Sequence, residues 1–383
     1  MPAGDQERPS KSYIKYLSLG VGVIGGLVGI AVDLYADQAR FVVEEAWARF
    51  AIRWLIILVV VVGSCYLTWR LSDRLWVARI GRQSIVAKSL EIHTEDFEED
   101  LPKDQAVIGR SLRYLERQSN SRNIIVFLHG LGLDANDFRR FMRSSDIHAV
   151  AITLFGFNAD DAQNNRYRPI GLSLHAELVT GAIRNIQRQN PGKELILVGF
   201  SLGADLIFKL AEIWHDRPER SPSFGAALLL DPNVNHSTMN ISSAISKMDT
   251  VEPLTELKRL VGQTSSLVEF QNICEYLHKI TYKNLDSVRR FAGDFTAYWN
   301  ADDSTDLFLD RVVILNSLAS RVRVIFSFHY EQHFNGLVAA ARAKGVSRNV
   351  FEATSLDHFE LIGEELLARE LDQLGVPQRR GKK

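Results

Sequence analysis

The chain has 383 residues, 46% of them hydrophobic and 24% charged, with a formal net charge of −1. That length can bury a large core, and the balanced charge excludes the broadly basic surface that recruits nucleic acid. The two cysteines, Cys65 and Cys274, are too far apart for a CxxC metal pair and too few for a disulfide framework.

Behind a polar start come two apolar runs, Ile14 to Val32 and Phe50 to Trp69. Each is close to the ~20 residues a helix needs to cross a bilayer, so residues 1–75 are expected to form a transmembrane hairpin that binds membrane lipids. Gly22/Gly26 and Gly25/Gly29 form overlapping GxxxG spacings. These let another helix approach closely, either the second span or a second copy in a helix-mediated oligomer. Arg8, Lys11 and Lys15 precede the first run, and Arg70, Arg74, Arg79, Arg82 and Lys88 follow the second. The connecting loop offsets Arg40 and Arg49 with four carboxylates, so the positive-inside rule puts both ends, and the domain that follows, on the cytoplasmic face of an integral membrane protein.

Residues 76–104 read as a juxtamembrane linker, entered through the basic segment "RLSDRLWVARIGR". From 105 strands and helices alternate. "AVIGRSLRYLE" and "NIIVFLHG" are separated by the turn "QSNSR" and suggest a hairpin feeding a sheet. Then come "AVAITLFG" as a strand, "GLSLHAELVTGAIRNIQRQ" as an amphipathic helix, "ELILVGF" as a strand, a helix from about Leu202, and "FGAALLLDP" as a strand. Such alternation predicts a mostly parallel sheet flanked by helices, an α/β fold, with 105–232 as its first part. In the helix after Ser201, Leu206, Leu210 and Ile213 share a face that Ile207 and Ala211 widen. Between 233 and 319 the alternation lapses into a helical insertion, in which Leu254, Leu257, Leu260 and Val261 form a stripe suited to packing. Residues 320–375 resume the pattern, and 376–383 are a polar tail.

"VGFSLGADL" breaks an apolar strand with a serine between two glycines and then begins a helix. Either Ser201 caps that helix, or Gly199 and Gly203 let the backbone turn sharply enough to project a nucleophile from the carboxyl edge of the sheet. Upstream, "FLHGLGLDANDF" ends a strand with His129-Gly130-Leu131-Gly132. In this order the two motifs resemble the α/β-hydrolase family, over roughly residues 105 to 375.

The resemblance implies Ser201 as nucleophile and the amides of Leu131 and Leu202 as oxyanion hole, with His129 shaping the loop. It implies a late histidine as base, and His358 in "SLDHFEL" stands there. The acid is expected after "RVRVIFSF", where the first carboxylate is Glu331; Asp231, at the end of "AALLLDP", occupies the alternative position. The insertion corresponds to a cap over the site. No P-loop, zinc-ligand pair or dinucleotide motif follows a suitable strand, so no cofactor or metal is expected. Two readings follow. One is a membrane-anchored serine hydrolase of esters or thioesters, small or lipid-like, acting through an acyl-enzyme; the other is a module of the same fold that interacts without chemistry.

Overall fold

The computed structural model describes residues 52, 54–64, 66, 85–92, 107, 109–158, 169–248, 253–262, 264, 266–299 and 304–376. The chain divides into two compact units, Met1–Ser84 and Ile85–Lys383. In the first, residues 54–64 are helical and expose Trp54, Leu55, Leu58 and Val59. The expected first span, its glycine spacings and the basic segment after the second span lie outside the described residues, as does the polar tail from 377. Among the described residues no helix is long and apolar enough to cross a membrane.

The second unit is built on an eight-stranded sheet, β1 (Val86–Glu91), β2 (Ser111–Arg117), β3 (Asn123–Leu128), β4 (His148–Thr153), β5 (Glu194–Phe200), β6 (Phe224–Leu230), β7 (Arg321–Phe326) and β8 (Phe351–Ala353). Its spatial order is β1-β2-β4-β3-β5-β6-β7-β8. β1 and β2 pair antiparallel, as do β2 and β4, and every pairing from β4 to β8 is parallel. The central strands are apolar along their whole length because helices cover them; Ile125, Val126, Ile196, Leu197, Leu228 and Leu229 are fully buried.

Two sequence expectations change here. The presumed linker 76–104 contains β1, so the sheet begins before residue 105. β2 and β3 also do not form a hairpin, because β4 lies between them and takes β2 antiparallel on one side and β3 parallel on the other.

The flanking helices are α1 (Arg139–Ser144), α2 (Leu172–Gln189), α3 (Leu202–Asp216), α8 (Asp306–Leu318), α9 (Glu331–Ala343) and α10 (Glu364–Gln373). α3 packs on β5 and lies beside α2 and α8, whereas α1 packs against α10. The expected stripe of α3 is buried at Leu206, Ile207, Leu210 and Ala211, while Ile213 is partly covered.

The expected insertion 233–319 includes α8, yet α8 belongs to the sheet's cover. Its Phe308, Leu309, Val312 and Leu315 are buried, and Phe308 meets Phe208 of α3 edge-on with ring centroids 5.6 Å apart. Buried Arg311 of α8 donates to Glu212 Oε1 at 2.8 Å, with its guanidinium 3.4 Å from the Tyr298 ring centroid. A planar, weakly hydrated cation suits such a sandwich.

The remaining inserted helices, α4 (Asn240–Lys247), α5 (Pro253–Gly262), α6 (Leu267–Ile280) and α7 (Leu285–Tyr298), follow β6. α7 packs on α4 and buries Val288, Phe291, Ala292 and Phe295. Leu260 of the predicted stripe packs with Ala244 and Ile273, and Val261 lies against them; the side chains of Leu254 and Leu257 lie outside the described ones.

Candidate active site

The carboxyl end of β5 turns into α3 through Ser201, whose backbone has φ 53° and ψ −125°. A non-glycine residue here carries strain that only its surroundings sustain, and Ser201 N–H is held by Leu230 O at 2.8 Å. The flanking glycines are required by contact. A Cβ at Gly199 would meet Gly203 O at 2.5 Å, and one at Gly203 would meet Leu128 O at 2.2 Å. Ser201 is nearly buried and lines a cavity of about 940 Å³.

The His129–Gly130 loop closes one side of the serine, since a Cβ on Gly130 would lie 2.9 Å from Ser201 Cβ. Gly132 has φ 76°, and a Cβ there would meet Ile280 Cγ2 at 2.7 Å. Leu131 lines the cavity with Ser201, and Leu202 opens α3, so its N–H has no acceptor within the helix. His129 itself is fully buried. Its Nδ1 donates to Gly130 O at 2.8 Å and its Nε2 accepts from Leu154 N–H at 3.0 Å, fastening the loop after β3 to the end of β4. Burial pulls its pKa down to about 4, which keeps the ring neutral in this two-bond role.

His358 follows β8, and its ring lies 4.6 Å from that of Phe200, centroid to centroid. Its Nδ1 donates to Asp231 Oδ2 at 2.6 Å. The expected acid Glu331 is not at the site: it starts α9, is exposed, and points its carboxylate to no described partner. The physical reason lies at the end of β7. There Ser327 uses its N–H (2.9 Å) and hydroxyl (2.8 Å) to hold both oxygens of Asp231, so the carboxylate beside His358 comes from the end of β6.

Asp231 has φ 48°, and its N–H donates to Ile325 O at 2.7 Å, so the chain turns sharply off β6 and returns the carboxylate over the sheet edge. Burial alone would raise the Asp231 pKa, but the bonds from His358 and Ser327 more than offset it and hold the carboxyl below its ordinary range.

One residue at the centre of the site escaped the sequence reading. Tyr276 of α6 is buried, and its hydroxyl donates to His358 Nε2 at 2.5 Å. Ser201 lines the same cavity as this tyrosine, and its side chain interacts with the hydroxyl. Nothing in "QNICEYLHKI" marks this tyrosine; only the placement of α6 over the sheet edge brings it there. Asn272, one turn earlier, donates to Asp357 Oδ1 at 2.9 Å. His329 and His333 line the cavity without touching Asp231 or Ser201, while His148 and His175 are buried elsewhere and His93 lies outside the described residues. Cys274 is exposed and free, and among the described residues no cluster of histidine, cysteine and carboxylate side chains could hold a metal ion.

An eight-stranded, mostly parallel sheet flanked by helices, with the serine turn at the carboxyl end of a central strand, is the α/β-hydrolase fold. Among solved structures the chain is similar to AqdC, described as recognising and cleaving the ring of the Pseudomonas quinolone signal. A variant with its substrate matches at 14% identity over 76% of this chain and 99% of that chain, with a TM-score of 0.52. The product complex matches at 15% identity over 70% and 97%, with a TM-score of 0.50. A thermophilic esterase from Thermogutta terrifontis is similar at 13% identity over 75% and 99%, with a TM-score of 0.47. No family model and no curated protein matches the sequence.

Proposed function

We propose that the protein is a serine hydrolase of carboxylic esters. The observation that carries this reading is a line of hydrogen bonds from the Asp231 carboxylate through His358 to the Tyr276 hydroxyl, in one cavity with Ser201 on a strained strand-to-helix turn beside the His129–Gly130 loop. Because the same fold serves ring cleavage in AqdC, the assignment rests on these groups and not on the fold.

In this mechanism Ser201 Oγ attacks the ester carbonyl while the amides of Leu131 and Leu202 hold the developing oxyanion. His358 receives the serine proton and returns one to the leaving alcohol, and Asp231 fixes the imidazole tautomer and stabilises its charged form. Water then releases the acyl group by the same route.

The cavity supports an amphiphilic ester as substrate. Leu131, Ile241, Leu260, Ile273 and Leu337 offer apolar contact, and Asn233, Asn235, Thr238, Asn240 and Asn272 offer neutral hydrogen-bonding groups. The two apolar runs before residue 75 support a membrane hairpin that holds this domain next to lipid-like esters, on the cytoplasmic side by the charge rule.

A fluorophosphonate probe tests the chemistry. It should label the protein at Ser201 and fail on Ser201→Ala and His358→Ala, and labelling that persists on Ser201→Ala would overturn the proposal. The hairpin is tested separately: the full chain should stay with the membrane pellet after alkaline carbonate extraction, and its release would remove the anchor while leaving the hydrolase reading intact.

A further inference from the structure

In direct Ser–His proton transfer, the imidazole nitrogen that faces away from the acid touches the serine hydroxyl. Here Tyr276 Oη stands against that nitrogen at 2.5 Å, and Ser201, which lines the same cavity, interacts with the same hydroxyl. Resting on the ester-hydrolase reading above, we propose that Tyr276 is a catalytic residue, carrying the proton between Ser201 and His358 and delivering it to the leaving group.

The alternative is that Tyr276 is a plug that must swing away before reaction, and the packing speaks against it. α6 is fastened to both loops that build the site. Lys279, near its end, donates to Asp137 Oδ1 at 2.6 Å, and Lys283, just beyond it, donates to Asp134 Oδ2 at 2.5 Å, both in the segment after the His129–Gly130 loop. Asn272, one turn before Tyr276, donates to Asp357 beside His358. Ile280 fills the space over Gly132. The tyrosine ring packs on Phe359 with centroids 4.8 Å apart. With its helix fastened at both ends and its ring against Phe359, the tyrosine hydroxyl is held at His358.

Its chemistry fits a relay. A phenol can accept one hydrogen bond and donate another at the same time. Burial pushes the Tyr276 pKa well above its ordinary value, even though the interaction with Ser201 acts in the other direction, so the group stays neutral and can pass a proton only while taking one up.

In acylation the Ser201 proton moves to Tyr276 Oη as the Tyr276 proton moves to His358 Nε2. Ser201 Oγ bonds the carbonyl carbon, and the carbonyl electrons become the oxyanion. In collapse the bond from carbon to the leaving oxygen breaks, that oxygen takes the Tyr276 proton, and imidazolium refills the phenol. Deacylation repeats the sequence with water in place of serine. No tyrosinate accumulates, and every proton removed is returned.

The test compares full-length wild type, Tyr276→Phe and Ser201→Ala on ethyl acetate, whose alkoxide must be protonated to leave, and on 4-nitrophenyl acetate, whose phenolate need not be. Tyr276→Phe should lower kcat/KM on ethyl acetate by at least about 100-fold, the lower range for loss of a positioned acid–base group, and by clearly less on the nitrophenyl ester. Wild-type rates in mixed light and heavy water should bow with deuterium fraction, reporting more than one proton in motion, a readout that needs no variant.

Equal or faster turnover by Tyr276→Phe on both esters, or a linear isotope plot in wild type, would each overturn the relay. If Ser201→Ala is inactive and Tyr276→Phe is not impaired, only the relay fails. If neither ester is hydrolysed in a Ser201-dependent way, the ester-hydrolase reading fails and the relay with it.

Discussion

Asp231 meets His358 Nδ1 at 2.6 Å from the far side of the sheet edge, 127 residues earlier in the chain. The contact exists because Asp231 adopts φ 48° and Ser327 grips its carboxylate with two hydrogen bonds.

Asp231→Asn should therefore cut ester turnover severely, about ten-thousand-fold where an amide imposes the wrong imidazole tautomer. Glu331→Gln should leave turnover nearly unchanged, because Glu331 is exposed at the start of α9. Initial rates on one ester, with circular dichroism to show that both variants fold, check the ranking.

Two glycine substitutions should act in opposite directions. In Gly203→Ala the new Cβ lies 2.2 Å from Leu128 O, a backbone atom that cannot turn aside. A loss of about 1–3 kcal/mol or more is expected. In Gly181→Ala, on α2, the Cβ meets nothing within 4 Å, and a gain of roughly 0.5–1 kcal/mol is expected from restricting the unfolded chain. Urea midpoints for the two variants measure both signs.

Glu116 of β2 predicts part of the acid limit of stability. Burial pushes its pKa up, but hydrogen bonds from His148 (2.8 Å) and Lys88 more than offset this and hold it at about 2, below the ordinary 4.5. A carboxyl depressed in the folded state contributes stability above about pH 4.5 and loses it as pH falls towards about 2. Glu116→Gln should melt a few degrees below wild type at pH 7, with the gap closing as the pH approaches 2.

Asp205 behaves in the opposite sense. It is fully buried at the start of α3, where Asn233 N–H donates to it at 2.9 Å, and burial raises its pKa to about 7 despite that bond. The folded protein keeps a proton there that the unfolded chain releases near pH 3.8, so this contribution falls as pH rises from about 4 to about 7 and is flat above. Asp205→Asn cannot ionise and should remove that slope from a plot of melting temperature against pH.

Pattern along the chain marked most of the elements and singled out Ser201 and His358 as candidates. A continuous apolar run such as "ELILVGF" reads as a strand covered on both faces, and Gly199 states a steric need that is local in the chain, since a Cβ there would meet Gly203 O. Ser201 and the glycines beside it were legible as a motif, although the crowding at Gly203 and Gly130 comes from far along the chain, from Leu128 and Ser201. His358 could be singled out by its place after the last strand.

What the tertiary structure decided were contacts that no local pattern encodes. A carboxylate can face a histidine from any strand end, and the choice of Asp231 over Glu331 depended on a register that puts Ser327 beside the end of β6 and on an α9 that carries Glu331 outward. The order β2-β4-β3 likewise follows from pairing across long separations, where a short turn falsely suggested a hairpin. Tyr276 was invisible for the strongest reason. A tyrosine in an amphipathic helix reads as ordinary packing, and it becomes part of a proton path only once α6 is pinned by Lys279, Lys283 and Asn272 above Ser201.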